Sequence, residues 1–290
     1  MCVPGTVETV RDRFEREEVP RVSRRAALGV GAGALAAASL PGSALARGRR
    51  GREGRHGKGH HHGRGLVDLS HVYSEEFPLF PGSPETLRET HVTVPNDGFY
   101  GQVWTLWEHT CTHMDVPAHF VEGGRTSPEL ALDELVAPVV VVDIASRVAS
   151  EPDTVVTPDD LVRFERRHGR IPRGAVVAMH SGWEARAGSQ DAYRNTDAGG
   201  VMRFPGFGGE AVEWLLAKRQ IRGIGVDTMS LDHGPSATFD AHLTVLGADR
   251  YGIENLRNLK AIPPRGATLV LGLIPWREGS GGPCRAFASV

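Results

Sequence analysis

Residues 136–144 read VAPVVVVDI, a run so dense in β-branched side chains that almost no position is left to face water. A half-exposed strand alternates apolar and polar residues, so an unbroken run predicts a strand covered on both faces. Three further segments share that character: GAVVAMH at 174–180, IRGIGVD at 221–227 and ATLVLGL at 267–273. Helical signals lie between them. Thr157-Pro158-Asp159-Asp160 has the form of a helix start, LVRFERRHG carries it to a glycine stop, and GEAVEWLLAKRQ at 209–220 reads as an amphipathic helix. Buried strands separated by helices predict an α/β protein built on one main sheet. Further strands are expected at LVDLSHVYS from Leu66, at 90–95 after the turn chemistry of PLFPGSPE, and in the alternating GQVWTLWE at 101–108; a short helix is expected around 255–259. No internal repeat is visible. GxGxxG, GxxxxGK[ST] and GxSxG are all absent, so dinucleotide, nucleoside-triphosphate and serine-hydrolase readings lose their anchors.

Charge is spread unevenly over the 290 residues. Residues 1–46 hold six Arg against five acidic groups, or +1, and residues 47–65 (RGRRGREGRHGKGHHHGRG) hold six Arg and one Lys against one Glu, or +6. With the whole chain at −2 and its first 65 residues at +7, residues 66–290 carry −9. An acidic body excludes nucleic acid as the expected partner. Residues 23–46 (SRRAALGVGAGALAAASLPGSALA) place Arg24-Arg25 before a mild Ala/Gly/Leu run ending in Ala44-Leu45-Ala46. That order predicts a twin-arginine signal over 1–46 and hence a secreted or cell-envelope protein. The alternative is a membrane anchor, which Gly29, Gly31, Gly33 and Pro41 disfavour, so no stable membrane insertion is expected. The Gly/Arg/His stretch 47–65 reads as a disordered linker, its His60–His62 solvated, and the folded domain as 66–290. Cys2, Cys111 and Cys284 show no paired spacing, which leaves at most one bridge, Cys111 to Cys284.

The chemistry concentrates in residues 109–120, HTCTHMDVPAHF. His109, His113 and Asp115 form a set of two imidazoles and a carboxylate, which suits Zn²⁺ or Mn²⁺ and leaves positions open for water and substrate. Thr110, Thr112 and Pro117 oppose a regular helix, so a tight turn leading into an extended piece is expected. No Glu follows the first His, which sets the segment apart from the HExxH of zinc proteases. His119, beyond Pro117, is expected outside the ligand set as a proton carrier. His242 and Glu254 are candidates to complete the site from later in the chain.

HTCTHMDVPAHF resembles the HxGTHxDxPxHF signature of the cyclase-like metal hydrolases, which include bacterial kynurenine formamidases and isatin hydrolases. The likeness runs over 66–290 through LVDLSH, PGFGGEAVEWLL, GIGVDTMSLD, DAH and IEN. It implies a compact α/β unit with a swivelling β/β/α arrangement and a central mixed sheet, assembled as a homodimer or homotetramer. It also implies His109, His113 and Asp115 as metal ligands and His119 as general acid/base. His242 and Glu254 match the distal ligands used where two ions are held, with Asp115 and Glu254 bridging. The chain departs from the pattern at Cys111, where the signature has Gly, which puts a thiol near the metal. Phe80 and Ser83 stand in PLFPGSPE where kynurenine formamidases tend to carry Trp and Asp.

The expected activity is hydrolysis of an amide, lactam, lactone or ester of a small, flat compound, with one or two Zn²⁺ or Mn²⁺ ions supplying an activated water and His119 moving its proton. Phe80 and Trp183, with Trp104 or Trp107, are expected to line an apolar pocket, and His180 and Asp227, each ending a buried strand, either line it or serve structural hydrogen bonds. The alternative is an exported metal- or ligand-binding protein that kept the fold and lost turnover.

Overall fold

The computed structural model describes residues 65–290, so the signal expected over 1–46 and all but the last residue of the linker expected over 47–65 lie outside the described residues. Twelve strands are described. In chain order they are β1 (Leu66–Asp68), β2 (Leu87–Val92), β3 (Gly101–Thr105), β4 (His113–Asp115), β5 (Val136–Asp143), β6 (Val155–Val156), β7 (Val176–His180), β8 (Gly206–Phe207), β9 (Gly223–Val226), β10 (Tyr251–Glu254), β11 (Arg265–Leu273) and β12 (Gly281–Ser289). The α-helices are α1 (Val94–Asp97), α2 (Ala145–Val148), α3 (Pro158–His168), α4 (Gln190–Arg194), α5 (Gly209–Arg219) and α6 (Asp240–Gly247). Residues 89–103, which hold most of β2 and β3 and the helical turn α1, form a unit of their own within the described residues. There β2 and β3 pair as a two-stranded sheet.

The main sheet runs β1-β12-β11-β5-β7-β9-β10-β4, and a further pairing of β4 with β12 closes it. Neighbours β5, β7, β9 and β10 are parallel; β11, β12 and β4 join antiparallel. β12 is long enough to serve two partners on one side. Its residues 281–283 pair with β4 and its residues 287–289 with β1. Closure satisfies the backbone groups that an open sheet would leave at its edges. The fold is thus α/β with a central mixed sheet, as expected, and the closure is what the sequence did not suggest.

The run at 136–144 has two covered faces because the sheet has an inside and an outside. Val139 and Val141 of β5 and Val176 and Ala178 of β7 face the barrel interior, with Leu269, Leu271, Ala286 and Ala288. Val140, Val142, Val177 and Met179 face outward onto Leu161 and Phe164 of α3 and Val212 and Leu215 of α5. Each such side chain removed from water contributes about 1.5–3 kcal/mol. α3 starts as predicted, with Thr157 Oγ1 accepting from Asp160 N at 3.3 Å and Pro158 in the first turn, and stops at Gly169 with φ +86°.

Some local expectations are corrected. The strand expected at 90–95 runs from Leu87 to Val92, α1 begins at Val94 with Pro95 in its first turn, and the strand expected at 101–108 ends at Thr105. Residues 255–258 are not helical; a 3₁₀ turn follows at Leu259–Ala261. Cys111 and Cys284 are both buried free thiols, so no bridge joins them.

Candidate metal centre

The histidine segment divides as its residue types dictate. Thr110–Thr112 form a turn, β4 holds His113, Met114 and Asp115 in extended conformation, and Pro117–His119 make one 3₁₀ turn. Cys111 sits in that first turn at φ +59°, the left-handed region where a Cβ is costly. The signature's glycine therefore has a conformational reason, and this chain carries strain there. Burial pushes the Cys111 thiol up to about 12, so it is a protonated packing group and not a thiolate ligand. Its carbonyl oxygen does the positioning. It accepts from His113 Nδ1 and from Asn255 Nδ2, each at 2.8 Å, which leaves His113 Nε2 to face the site.

β10 runs antiparallel to β4 and registers Glu254 against His113. α6 brings in His242, whose Nδ1 lies 2.6 Å from Asp232 Oδ2. The same Asp232 carboxylate accepts from Ala241 N at 2.8 Å and so also holds the start of α6. His242 Nε2 is thereby aimed at Glu254 Oε1 (3.1 Å) and Asp115 Oδ2 (3.6 Å). His113 Nε2 lies 3.3 Å from Asp115 Oδ1 and 3.4 Å from Glu254 Oε2, and His109 Nδ1 lies 2.7 Å from Asp115 Oδ1. Two ligand groups result, His109–His113–Asp115 and Asp115–His242–Glu254, with donor atoms within 4.8 Å of one another and Asp115 common to both.

The electrostatics have one cause throughout. Burial opposes charge on His113, yet the charges of Asp115 and Glu254 outweigh it and hold the ring up at about 9. Burial likewise opposes charge on His242, and its bonds to Asp115, Asp232 and Glu254 still raise it well above its ordinary value. Two buried carboxylates demand positive charge between them. His113 Nε2 and Asp115 Oδ2 are buried without a hydrogen-bond partner. Buried orphans of this kind, a ring nitrogen beside a carboxylate oxygen, fit a divalent cation that displaces the proton. His119 differs. It is stacked on His109 with ring centroids 3.6 Å apart and is not in either ligand group. Burial pushes its ring down to about 4, against the pull of Asp115, so it is neutral at pH 7.

A cavity of about 210 Å³ opens onto the cluster, lined by His109, His113, His119, His242 and Glu254 together with Phe80, Trp107, Phe120, Met229 and Phe239. Phe239 lies 5.6 Å from Phe120 and 6.5 Å from Phe80, at φ +53°. A bulky residue in the left-handed region is an outlier that strained functional sites tolerate.

Of the expected pocket residues, Phe80 and Trp107 line this cavity, and Trp104, Trp183, His180 and Asp227 do not. Trp183 is buried elsewhere, its Nε1 donating to Tyr193 O at 2.8 Å and its ring covered by Arg186. Asp227 accepts from Ser181 N, Ser181 Oγ and Gly182 N and so fixes the turn after β7; burial pushes its carboxyl up to about 6. His180 Nδ1 lies 3.3 Å from Asp143 Oδ1 on the neighbouring strand. Trp104 packs edge-on against Tyr73 instead, while Trp107 is in the cavity wall. Sequence reasoning missed Asp232, Phe120, Phe239, Glu108 and Ser280. Asp232 had a signal, an acid ten residues before a candidate ligand; Phe239 had none.

The Cyclase family model matches residues 67–233, more than half of the chain. An isatin hydrolase of Roseibium aggregatum is 32% identical over 242 residues, covering 78% of this chain and 91% of its own length. A kynurenine formamidase of Erythrobacter litoralis is 28% identical over 229 residues, covering 77% and 93%. Among solved structures, isatin hydrolase A from Ralstonia solanacearum superposes with a TM-score of 0.72 at 34% identity over 78% of this chain and 91% of its own. An isatin hydrolase bound to the product analogue thioisatinate gives 0.74 at 30% identity over 78% and 92%.

Proposed function

The chain belongs to the cyclase family and is a metal-dependent hydrolase, and from that premise we propose that it opens the amide bond of a small, flat lactam of the isatin kind. The observation that carries the reading is Asp115, shared by two ligand groups, next to an orphaned His113 Nε2 and an aromatic-walled cavity. The cavity is too small for a polymer and its lining residues outside the cluster are uncharged, which favours an uncharged, planar substrate. Aryl formamides are the nearest competitors, and Phe80 and Ser83 at the cavity wall, where kynurenine formamidases tend to carry Trp and Asp, favour the lactam.

His109, His113, Asp115, His242 and Glu254 would hold Zn²⁺ or Mn²⁺, as one ion or two. An ion held there would supply a water of lowered pKa and a Lewis acid for a carbonyl oxygen. The protein's own part is positional. His119, neutral at pH 7, accepts the proton of the attacking water on its imidazole and returns it to the leaving nitrogen. The stacked ring of His109 fixes where that imidazole sits. Phe80, Phe120 and Phe239 exclude bulk water from the reacting carbonyl and clamp the substrate plane.

Export by the twin-arginine route is part of the proposal, on the strength of Arg24-Arg25 and Ala44-Leu45-Ala46. Assembly as a homodimer or homotetramer rests on family resemblance alone. The test is turnover of isatin beside an aryl formamide, a lactone and an ester, with and without chelator. Chelator-sensitive opening of isatin, faster than the formamide, is the expected result. Formamide turnover with isatin untouched would replace the substrate class, and no turnover of any would overturn the reading.

A further inference from the structure

Glu108 and Ser280 belong to no ligand group, and the mechanism above does not use them. Ser280 Oγ lies 2.8 Å from His109 Nε2 and 2.7 Å from Glu108 Oε2, and Ser280 N donates to the same Glu108 oxygen at 3.2 Å. Proton accounting decides which way these bonds run. A carboxylate accepts and cannot donate, and a serine hydroxyl has one proton to give. The Ser280 proton therefore goes to Glu108, and Ser280 Oγ must accept from His109. That requires a proton on His109 Nε2. The other nitrogen, Nδ1, then turns its lone pair towards Asp115 Oδ1, 2.7 Å away. A lone pair and a carboxylate oxygen that close suit a cation held between them.

We infer that Glu108 and Ser280 are positioning residues that fix the tautomer of His109, so that Nδ1 and not Nε2 is the atom presented to the metal. The local backbone is built to keep this chain of donors. Gly279 and Gly281 flank Ser280, and neither has room for a side chain. A Cβ on Gly281 would fall 2.2 Å from Met114 O and 2.8 Å from His109 Cε1; one on Gly279 would fall 2.9 Å from Glu108 Oε1. Both ends of the loop are tied, Val116 N donating to Ser280 O at 3.0 Å and Ser127 N to Gly279 O at 2.8 Å. The G-S-G-G run at 279–282 is thus a clamp on His109. Because His109 also carries the stacked ring of His119, a turned His109 would displace the proton carrier as well.

The inference rests on the metal-site reading, and two measurements separate its failure from that reading's failure. Histidine-labelled ¹⁵N NMR of the metal-free protein, with His109 assigned by its loss in His109→Gln, shows directly which ring nitrogens hold protons. Nε2 is expected to be protonated, and to stay so when Zn²⁺ is added. Titration with Zn²⁺ and Mn²⁺ gives the affinity. Ser280→Ala is expected to weaken it about 10–100-fold, as for other partners of ligating histidines, with Ser280→Thr retaining most of it. Glu108→Gln keeps the shape but introduces an amide donor, which allows the bonds to run the other way; it should weaken binding and move proton occupancy towards Nδ1. A role in loop folding alone would lower Tm in the variants and leave affinity and tautomer unchanged, which would overturn the proposal. So would an unprotonated Nε2 in the wild type. A wild type with Nε2 protonated but no affinity for either ion would support the tautomer assignment and overturn the functional reading.

Discussion

Metal binding to this site should be driven strongly by pH. In the metal-free protein His113 is held up at about 9, because the charges of Asp115 and Glu254 outweigh the cost of burying it. Its folded pKa lies above the ordinary 6.5, so the charged ring's contribution to metal-free stability is complete below pH 6.5 and is lost as pH rises through about 9. Metal binding runs against that proton. At pH 7 removing it costs roughly 2–3 kcal/mol, a factor of about a hundred in affinity. His242 is raised well above its ordinary value by the same carboxylates and must also give up its proton at Nε2. Between one and two protons should therefore leave per binding event, and affinity for Zn²⁺ should rise about tenfold per pH unit for each proton released, from pH 6 towards pH 9. Isothermal titration calorimetry at pH 7, in buffers of different ionisation enthalpy, counts the protons. Binding without proton release, at an affinity flat between pH 6 and pH 8, would refute the reasoning.

Three further outcomes are expected. His119→Ala should cut turnover by about 10²–10⁴ with metal content unchanged by elemental mass spectrometry, since His119 is in neither ligand group; loss of metal would make it a ligand. Asp232→Ala removes the 2.6 Å bond to His242 and the acceptor at the start of α6, and should weaken metal binding about 10–100-fold and cost about 1–3 kcal/mol in urea unfolding. Cys111→Gly should be at least as stable as Cys111→Ala in urea, because relief of left-handed strain of about 1–2 kcal/mol offsets the buried methyl it gives up.

The fold class was legible where one physical effect acts alone. Burial on both faces wrote β5 and β7 into the sequence as unbroken β-branched runs, and capping chemistry at Thr157–Asp160 marked the start of α3. β12 was not legible. Its inward positions are the small Cys284, Ala286 and Ala288, with Pro283 near its start, because it lines the interior of a closed sheet and shares its length between β4 and β1. Nothing local signals that closure. At the site, donor types and spacing made His109, His113 and Asp115 readable, and the structure brings His242 and Glu254 to them through the pairing of β10 with β4 and the placing of α6. Trp183 packs away from the cavity, since a large aromatic marks a place where function can sit without deciding it, while the hydrogen bonds of His180 and Asp227 match the structural one of the two alternatives open to them. Glu108 and Ser280 stand 172 positions apart, and only the folded chain shows that they meet.

The most direct test of the account is metal content measured on the full chain with His60–His62 replaced by Ala, compared with the same protein carrying Asp115→Ala. Asp115 is the one carboxylate common to both ligand groups. The account predicts one or two retained equivalents of Zn or Mn, lost in the Asp115→Ala protein while it remains folded. Equal metal in both proteins, or none in the first, would contradict it.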